Sequence, residues 1–421
     1  MEYAILRTPR SQRPGLMPPI AVTRSSPSFA SELIQRIGPG MQLQPPPPAE
    51  AAPFPDAPEL YFTDDPDEAQ AARDRGDVVT DQPELPLRLI PQFESAGPAE
   101  NGSPWGVQAV GADALPLGSQ GEGACVAILD SGIDAGHSAF AGLIRDDNYR
   151  DFTMLGKADN IGHGTHCAGI IFGRPVDGTR IGVAPGIKNV FVGKIADTNY
   201  ITTTKVLREA LEWAVNAGAN IISLSVGLDF LGRKAALEAQ GYTDRVALAK
   251  ALNEYLDFAR VFDTKMESLS ASAPGVNAAL VFAACGNESL AADKARVPVS
   301  LPAAANKVIS VTALGQADGG TLTVASFCNS LPKLGAPGVG ILSAAPGGGL
   351  ATMSGTSQAA PHAAGVAALW FQSLWREERV KPSVDDLRTS VLGSADRSSI
   401  AGERDHSVIG RGLIRAPKPA S

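Results

Sequence analysis

Beyond residue 124 the chain is written in short runs of β-branched and small apolar residues, separated by longer segments of helical spacing. Residues 125–129, 190–193, 221–225, 279–284 and 308–312 are short runs of β-branched or small residues without a regular polar alternation, the pattern of strands in a parallel sheet covered on both faces. Between two of them Val206, Leu207, Ala210, Leu211, Ala214 and Val215 recur at helical spacing, which predicts a helix packed on the sheet along that face and stopped at Gly218. Such alternation predicts an α/β domain with a doubly wound, mostly parallel sheet and helices on both faces. Residues 229–274 form a helical insertion, with Val246, Leu248, Ala251, Leu252, Tyr255, Leu256, Ala259 and Val261 as its apolar stripe. A further helix is expected to begin near Pro361, followed by another over residues 385–392.

The first hundred residues are patterned differently. Residues 3–7 suggest a strand, 28–37 a short helix closed by Gly38, and 66–75 a helix with proline in its first turn. Residues 77–80 and 85–93 look extended, and the tetrad Pro45 to Pro48 marks a loose linker. The change in texture places a boundary near residue 100: an N-terminal region over 1–100, a catalytic-size domain over 101–417 and a tail over 418–421.

Composition narrows the class. A net charge of −8 argues against a partner held through its phosphates, so nucleic acid is not expected. No stretch approaches 18 uninterrupted apolar residues and no signal-peptide run follows the first arginines, so no membrane contact is expected and the default location is cytoplasmic. The four cysteines, Cys125, Cys167, Cys285 and Cys328, lie in apolar or Gly/Ala-rich segments without metal-ligand spacing, and read as small buried thiols of a reducing compartment.

Three motifs carry chemistry. An apolar strand ending in Asp130 sets a carboxylate at the carboxyl edge of the sheet, with Gly132 permitting the turn; alone, such an aspartate is as readily a helix cap. In Gly162-His163-Gly164-Thr165-His166 the glycines leave the His163 imidazole uncrowded, with His166 near the same face. Asp159 upstream raises zinc as an alternative, against which stands the lack of the His-Glu-x-x-His spacing, so no metal and no cofactor is expected. Ser357, in Met353-Ser354-Gly355-Thr356-Ser357, falls at the start of a small-residue helix, where exposed amides favour a developing negative charge, although a plain cap looks the same.

Together, in the order Asp130, His163, Ser357, the motifs resemble the subtilisin family of serine peptidases, whose chain order and triad serve as a general example of this chemistry. Phe282-Ala283-Ala284-Cys285-Gly286-Asn287 resembles the family's oxyanion segment, and the likeness extends over roughly residues 104 to 417. It implies a serine endopeptidase acting on polypeptides through an acyl-enzyme on Ser357, with His163 as base, Asp130 orienting it and Asn287 holding the oxyanion. It also implies a substrate-binding edge at Ser225, Val226 and Gly227, and a specificity pocket walled by residues 224–227 (Leu224 onward) and by Ala283, Ala284, Cys285 and Gly286.

The chain departs from the family pattern at Gln358, where a methionine is usual, at Ala360, where a threonine is usual, and at Leu228, where a further glycine is common. Ala139 and the loop 172–180 lack the residues of the strong calcium site of secreted members. The first hundred residues have the place and size of an inhibitory, self-cleaved prosegment, and residues 85–93 could lie product-like in the cleft; two prolines weaken a strand there, and a linker is the alternative. Two rival functions stay open: a processing or macrocyclising peptidase, and a non-catalytic peptide-binding protein on the same scaffold.

Overall fold

The computed structural model describes residues 2–7, 59–75, 77–82, 84–91, 93–94, 104–196, 198–271, 277–289, 296–317, 320–402 and 405–418. The expected helix over 28–37 and the proline tetrad lie outside them. The chain forms two compact units, Met1–Pro83 and Glu84–Ser421.

In the smaller unit, strand β1 (Glu2–Arg7) runs antiparallel between β2 (Glu59–Thr63) and β3 (Val78–Gln82), with Ile5 opposite Tyr61 on one side and Val79 on the other. Helix α1 (Pro66–Asp74) starts where Asp65 accepts the Asp67 N–H and proline occupies a first-turn position that needs no donor. Ala69 and Ala72 are its buried residues, and Ala4 and Ile5 are buried in the sheet.

The larger unit opens with β4 (Pro86–Leu89), β5 (Phe93–Glu94) and the short helix α2 (Trp105–Ala109). Then come β6 (Cys125–Asp130), β7 (Tyr149–Asp151), α3 (His163–Phe172), β8 (Asn189–Lys194), β9 (Ile201–Thr203), α4 (Thr204–Asn216), β10 (Ile221–Leu224) and β11 (Val226–Leu228). Helices α5 (Phe230–Ala239) and α6 (Asp244–Ser270) make the insertion, followed by β12 (Leu280–Ala284), β13 (Val308–Gln316), β14 (Leu322–Val324), β15 (Leu334–Pro337), β16 (Ile341–Ala344) and β17 (Leu350–Ser354). Helices α7 (Thr356–Glu378), α8 (Val384–Gly393) and α9 (His406–Ile409) close the chain.

All five expected strands are present in one eight-stranded sheet of order β14-β13-β12-β10-β6-β8-β7, with β15 also paired to β13. Its pairings are parallel except that of β14 with β13. Period-two geometry splits each strand between two cores. Val126 and Ile128 of β6 join the cluster that holds Ile171 of α3 and Ala360 and Ala364 of α7, while Ala127 and Leu129 join the one that holds Leu207 and Leu211 of α4. Helix α4 begins at Thr204 because the Thr203 hydroxyl accepts the Val206 N–H, and it gives way to Gly218 at φ +100°.

Two expectations need correction. The helix looked for near Pro361 begins at Thr356, with Pro361 inside it. Proline has no N–H to offer the carbonyl four residues back. That carbonyl, of Ser357, instead accepts from the Cys167 thiol at 3.2 Å and the Ser225 hydroxyl at 3.5 Å. In the insertion, Val246 and Leu252 of the expected stripe are 43% and 47% exposed. The buried positions of α6 are Ala247 and Ala251, which pack with Leu237 of α5, Phe258, Phe262, Met266 and Leu269, which join the core beside α4, and Ser270. Small residues let the two insertion helices approach, so the larger aliphatics point outward. Among the described residues no helix is long and apolar enough to cross a membrane.

Candidate active site

Asp130 ends β6, and His163 opens α3. Their meeting depends on a close approach of backbones: a Cβ on Gly164 would collide with the Gly132 carbonyl, and Gly132 itself sits at φ +112°. The helix start is tied down by Asp159, whose Oδ1 accepts from the Ser131 hydroxyl and the Gly162 N–H and whose Oδ2 accepts from the N–H and hydroxyl of Thr165. Asp159 is thus occupied as an organiser of the turn, and His166 turns away, its Nε2 3.1 Å from the carbonyls of Ile341 and Ala351. Burial lowers the His166 pKa to about 3, which keeps that ring neutral.

Asp130 Oδ1 lies 2.6 Å from His163 Nδ1, with both residues buried, and the same oxygen accepts the Ser131 N–H at 2.7 Å. Burial alone would depress the imidazole, but the adjacent carboxylate outweighs it and holds the His163 pKa well above its ordinary value. Among the described residues His163 Nε2 has no hydrogen-bond partner. Cys167, one turn on, touches both sides of the site: its Sγ is 3.9 Å from His163 Nδ1 and 3.2 Å from the Ser357 carbonyl. Burial pushes its thiol up, so it stays protonated.

Ser357 stands in the first turn of α7, but its hydroxyl donates to the Ile90 carbonyl at 3.3 Å rather than to the imidazole. Asn287 follows β12 across Gly286, which takes φ +110°. Its Oδ1 accepts from the Thr356 N–H at 3.0 Å and the Thr356 hydroxyl at 2.8 Å, which turns Nδ2 outward to donate to the Pro91 carbonyl at 2.6 Å.

Both carbonyls belong to a segment that threads the site. β4 lies antiparallel between β9 and β11, with Arg88 opposite Gly227 on one side and Ile201 on the other. The ladder continues where the Ile90 N–H donates to the Ser225 carbonyl at 2.9 Å, and beyond the site β5 pairs with β17, Phe93 opposite Ser354. Leu85, Leu87 and Leu89 are buried in the core beside α4, whereas Pro86 and Arg88 face outward.

Of the sequence-expected binding residues, Ser225, Val226 and Gly227 meet this segment directly. Leu224 and Ala283 are buried in the α4-side core, and Ala284 and Cys285 in the opposite core, the cluster that also holds Ile90. Sequence reasoning missed Thr356, the second ladder at β9 and Asp229. The run Ile201-Thr202-Thr203, β-branched throughout, carried the signal for β9.

The subtilase family profile matches residues 121–412. The chain is 30% identical over 290 residues to the major intracellular serine protease of Bacillus subtilis (strain 168), covering 67% of this chain and 80% of that protein. It is 30% identical over 293 residues to the intracellular serine protease of Paenibacillus polymyxa (68% and 76% covered) and 28% identical over 286 residues to thermitase of Thermoactinomyces vulgaris (68% and 85% covered). With its mostly parallel sheet and this similarity over two thirds of its length, the chain belongs to the subtilase family and is a subtilisin-like serine endopeptidase.

Proposed function

We propose that this peptidase works through an acyl-enzyme on Ser357 and that residues 85–94 hold it latent. In the reaction the Ser357 hydroxyl loses its proton to His163 Nε2 as its oxygen bonds to the scissile carbonyl carbon. His163 then passes the proton to the departing amine, and water repeats the sequence to release the acid. Asp130 fixes the tautomer that leaves Nε2 free to accept. Asn287 Nδ2 and the Ser357 N–H stabilise the oxyanion. A polypeptide substrate adds as a strand between β9 and β11.

One arrangement supports the reading: the segment from Pro86 to Pro91 lies in the substrate direction, with one carbonyl on the Ser357 hydroxyl and the next on Asn287. The split explains latency. The carbonyl facing the nucleophile, that of Ile90, lacks the Asn287 donor, and the carbonyl that has the donor, that of Pro91, is one residue further on. Neither is set for attack, so the segment occupies the cleft as a non-productive complex, and the region over residues 1–100 is a self-removed prosegment ahead of the domain over 101–417. A fluorophosphonate probe tests the assignment: it labels the wild-type chain and not Ser357→Ala, whereas equal labelling of both would remove Ser357 from the mechanism.

A further inference from the structure

Backbone ladders bind any sequence, so selectivity must come from side chains that reach a built partner. In the register of the bound segment Ile90 occupies the position before the scissile bond, and Arg88 is the third residue back. Its side chain points to solvent yet returns to the protein, Nε lying 3.0 Å from Asp229 Oδ2, with the arginine 56% and the aspartate 24% exposed. Asp229 is fixed independently of that arginine. Its Oδ1 caps α5 by accepting the Gly232 N–H at 2.8 Å. Glycine at 232 makes room for the carboxylate, since a Cβ there would collide with Oδ2. The carboxylate is therefore pre-aimed at the third residue of whatever strand fills the cleft.

We propose that Asp229 makes this cleft selective for a basic residue three positions before the scissile bond. The inference rests on the substrate-like register taken for the peptidase reading, and extends it to a subsite supplied by the start of the helical insertion. An arginine keeps its charge under all conditions and offers a fork to the carboxylate, while glutamate at this position would face like charge.

The test uses the wild-type protein after it has shed its N-terminal segment, its active sites counted by fluorophosphonate labelling, and quenched peptides of the form Leu-Ala-Leu-X-Leu-Ile-Ala with X as arginine, citrulline or glutamate. We expect kcat/KM for arginine to exceed that for the neutral isostere citrulline by about two- to fivefold, the span of part-exposed ion pairs, with glutamate slowest. Asp229→Asn keeps the helix cap and should bring the arginine-to-citrulline ratio to one. Equal rates for all three peptides, or an arginine preference that survives Asp229→Asn, would overturn the subsite while leaving the peptidase reading intact. A second measurement needs no turnover: in Ser357→Ala protein, amide exchange at Leu89 and Ile90 should rise about two- to fivefold in Arg88→Gln or Asp229→Asn and no further in the double variant. Additive effects there would count against the pair. Exchange as expected in a chain that neither labels nor cleaves any peptide would sink the peptidase reading and leave the subsite standing.

Discussion

Thr356 grips Asn287 by the carbonyl end of its side chain, through the backbone N–H at 3.0 Å and the hydroxyl at 2.8 Å. This leaves the amide nitrogen one direction in which to point, toward a carbonyl in the cleft. Asn287→Ala should therefore lower kcat by about 100- to 1,000-fold, as expected for loss of an oxyanion donor, while circular dichroism stays native. Thr356→Val keeps the backbone donor and loses the hydroxyl, so it should cost about two- to tenfold in kcat with KM little changed. A large KM effect would place Thr356 in binding instead.

The pH profile follows from the Asp130–His163 pair. In the proposed mechanism His163 must be neutral to accept the Ser357 proton, and its pKa is held above the ordinary 6.5. Activity should rise with pH along a limb lying above 6.5, measured as kcat/KM on a peptide without ionisable groups. Stability runs the other way: a raised imidazole pKa stabilises the fold fully below the unfolded value, and that contribution fades as pH climbs through the folded one. Asp130→Asn removes the carboxylate that raises the His163 pKa, so it should move the limb to lower pH and lower turnover by about 10,000-fold, the size expected where the aspartate that orients such a histidine is neutralised.

Pro91 is the residue whose carbonyl accepts from Asn287, one position past the carbonyl that accepts from the Ser357 hydroxyl. Pro91→Ala frees φ and restores an N–H, so the chain can shift until the Ile90 carbonyl gains the Asn287 donor. Self-cleavage after Ile90 should accelerate, read by mass spectrometry of the new N-terminus. Ser357→Ala should accumulate as the full 421-residue chain. Identical trimming of Ser357→Ala would assign the cut to another protease.

Gln358 is fully buried beside Ser357, and neither end of its amide has a hydrogen-bond partner among the described residues. An unsatisfied buried polar group costs about 1–3 kcal/mol, whereas methionine fills a similar volume with no such debt. Gln358→Met should raise the Tm by about 2–4 °C in thermal unfolding. An unchanged or lower Tm would indicate that the amide is satisfied in solution.

The central sheet was legible because its parallel strands, buried on both faces, are dominated by β-branched and small residues, and the placement of Asp130, His163, Ser357 and Asn287 because each ends or follows a strand or stands at a helix start. The cleft-filling segment was harder to read, since two prolines argue against a strand. They do not prevent this one: Pro86 is its first residue and Pro91 follows its end, so neither position owes the ladder an N–H. Asp229 was illegible for a different reason. From sequence it is one more acid ahead of a helix, and only the fold shows that one oxygen caps the helix while the other meets Arg88. The apolar stripe of α6 misled in its aliphatics: Val246, Leu248, Leu252 and Leu256 are exposed, while Ala251 of the same stripe is buried with Ala247 against α5.

Because β4 is the middle strand of three, its departure leaves β9 and β11 facing each other across a gap, each with a row of unanswered amides and carbonyls. Bare edges of this kind recruit any stretched polypeptide, including a neighbouring copy of the same chain. On the proposed latency, a molecule that has shed its plug is self-adhesive as well as active, and keeping the strand in place until late protects the newly made protein from clumping as much as from digestion.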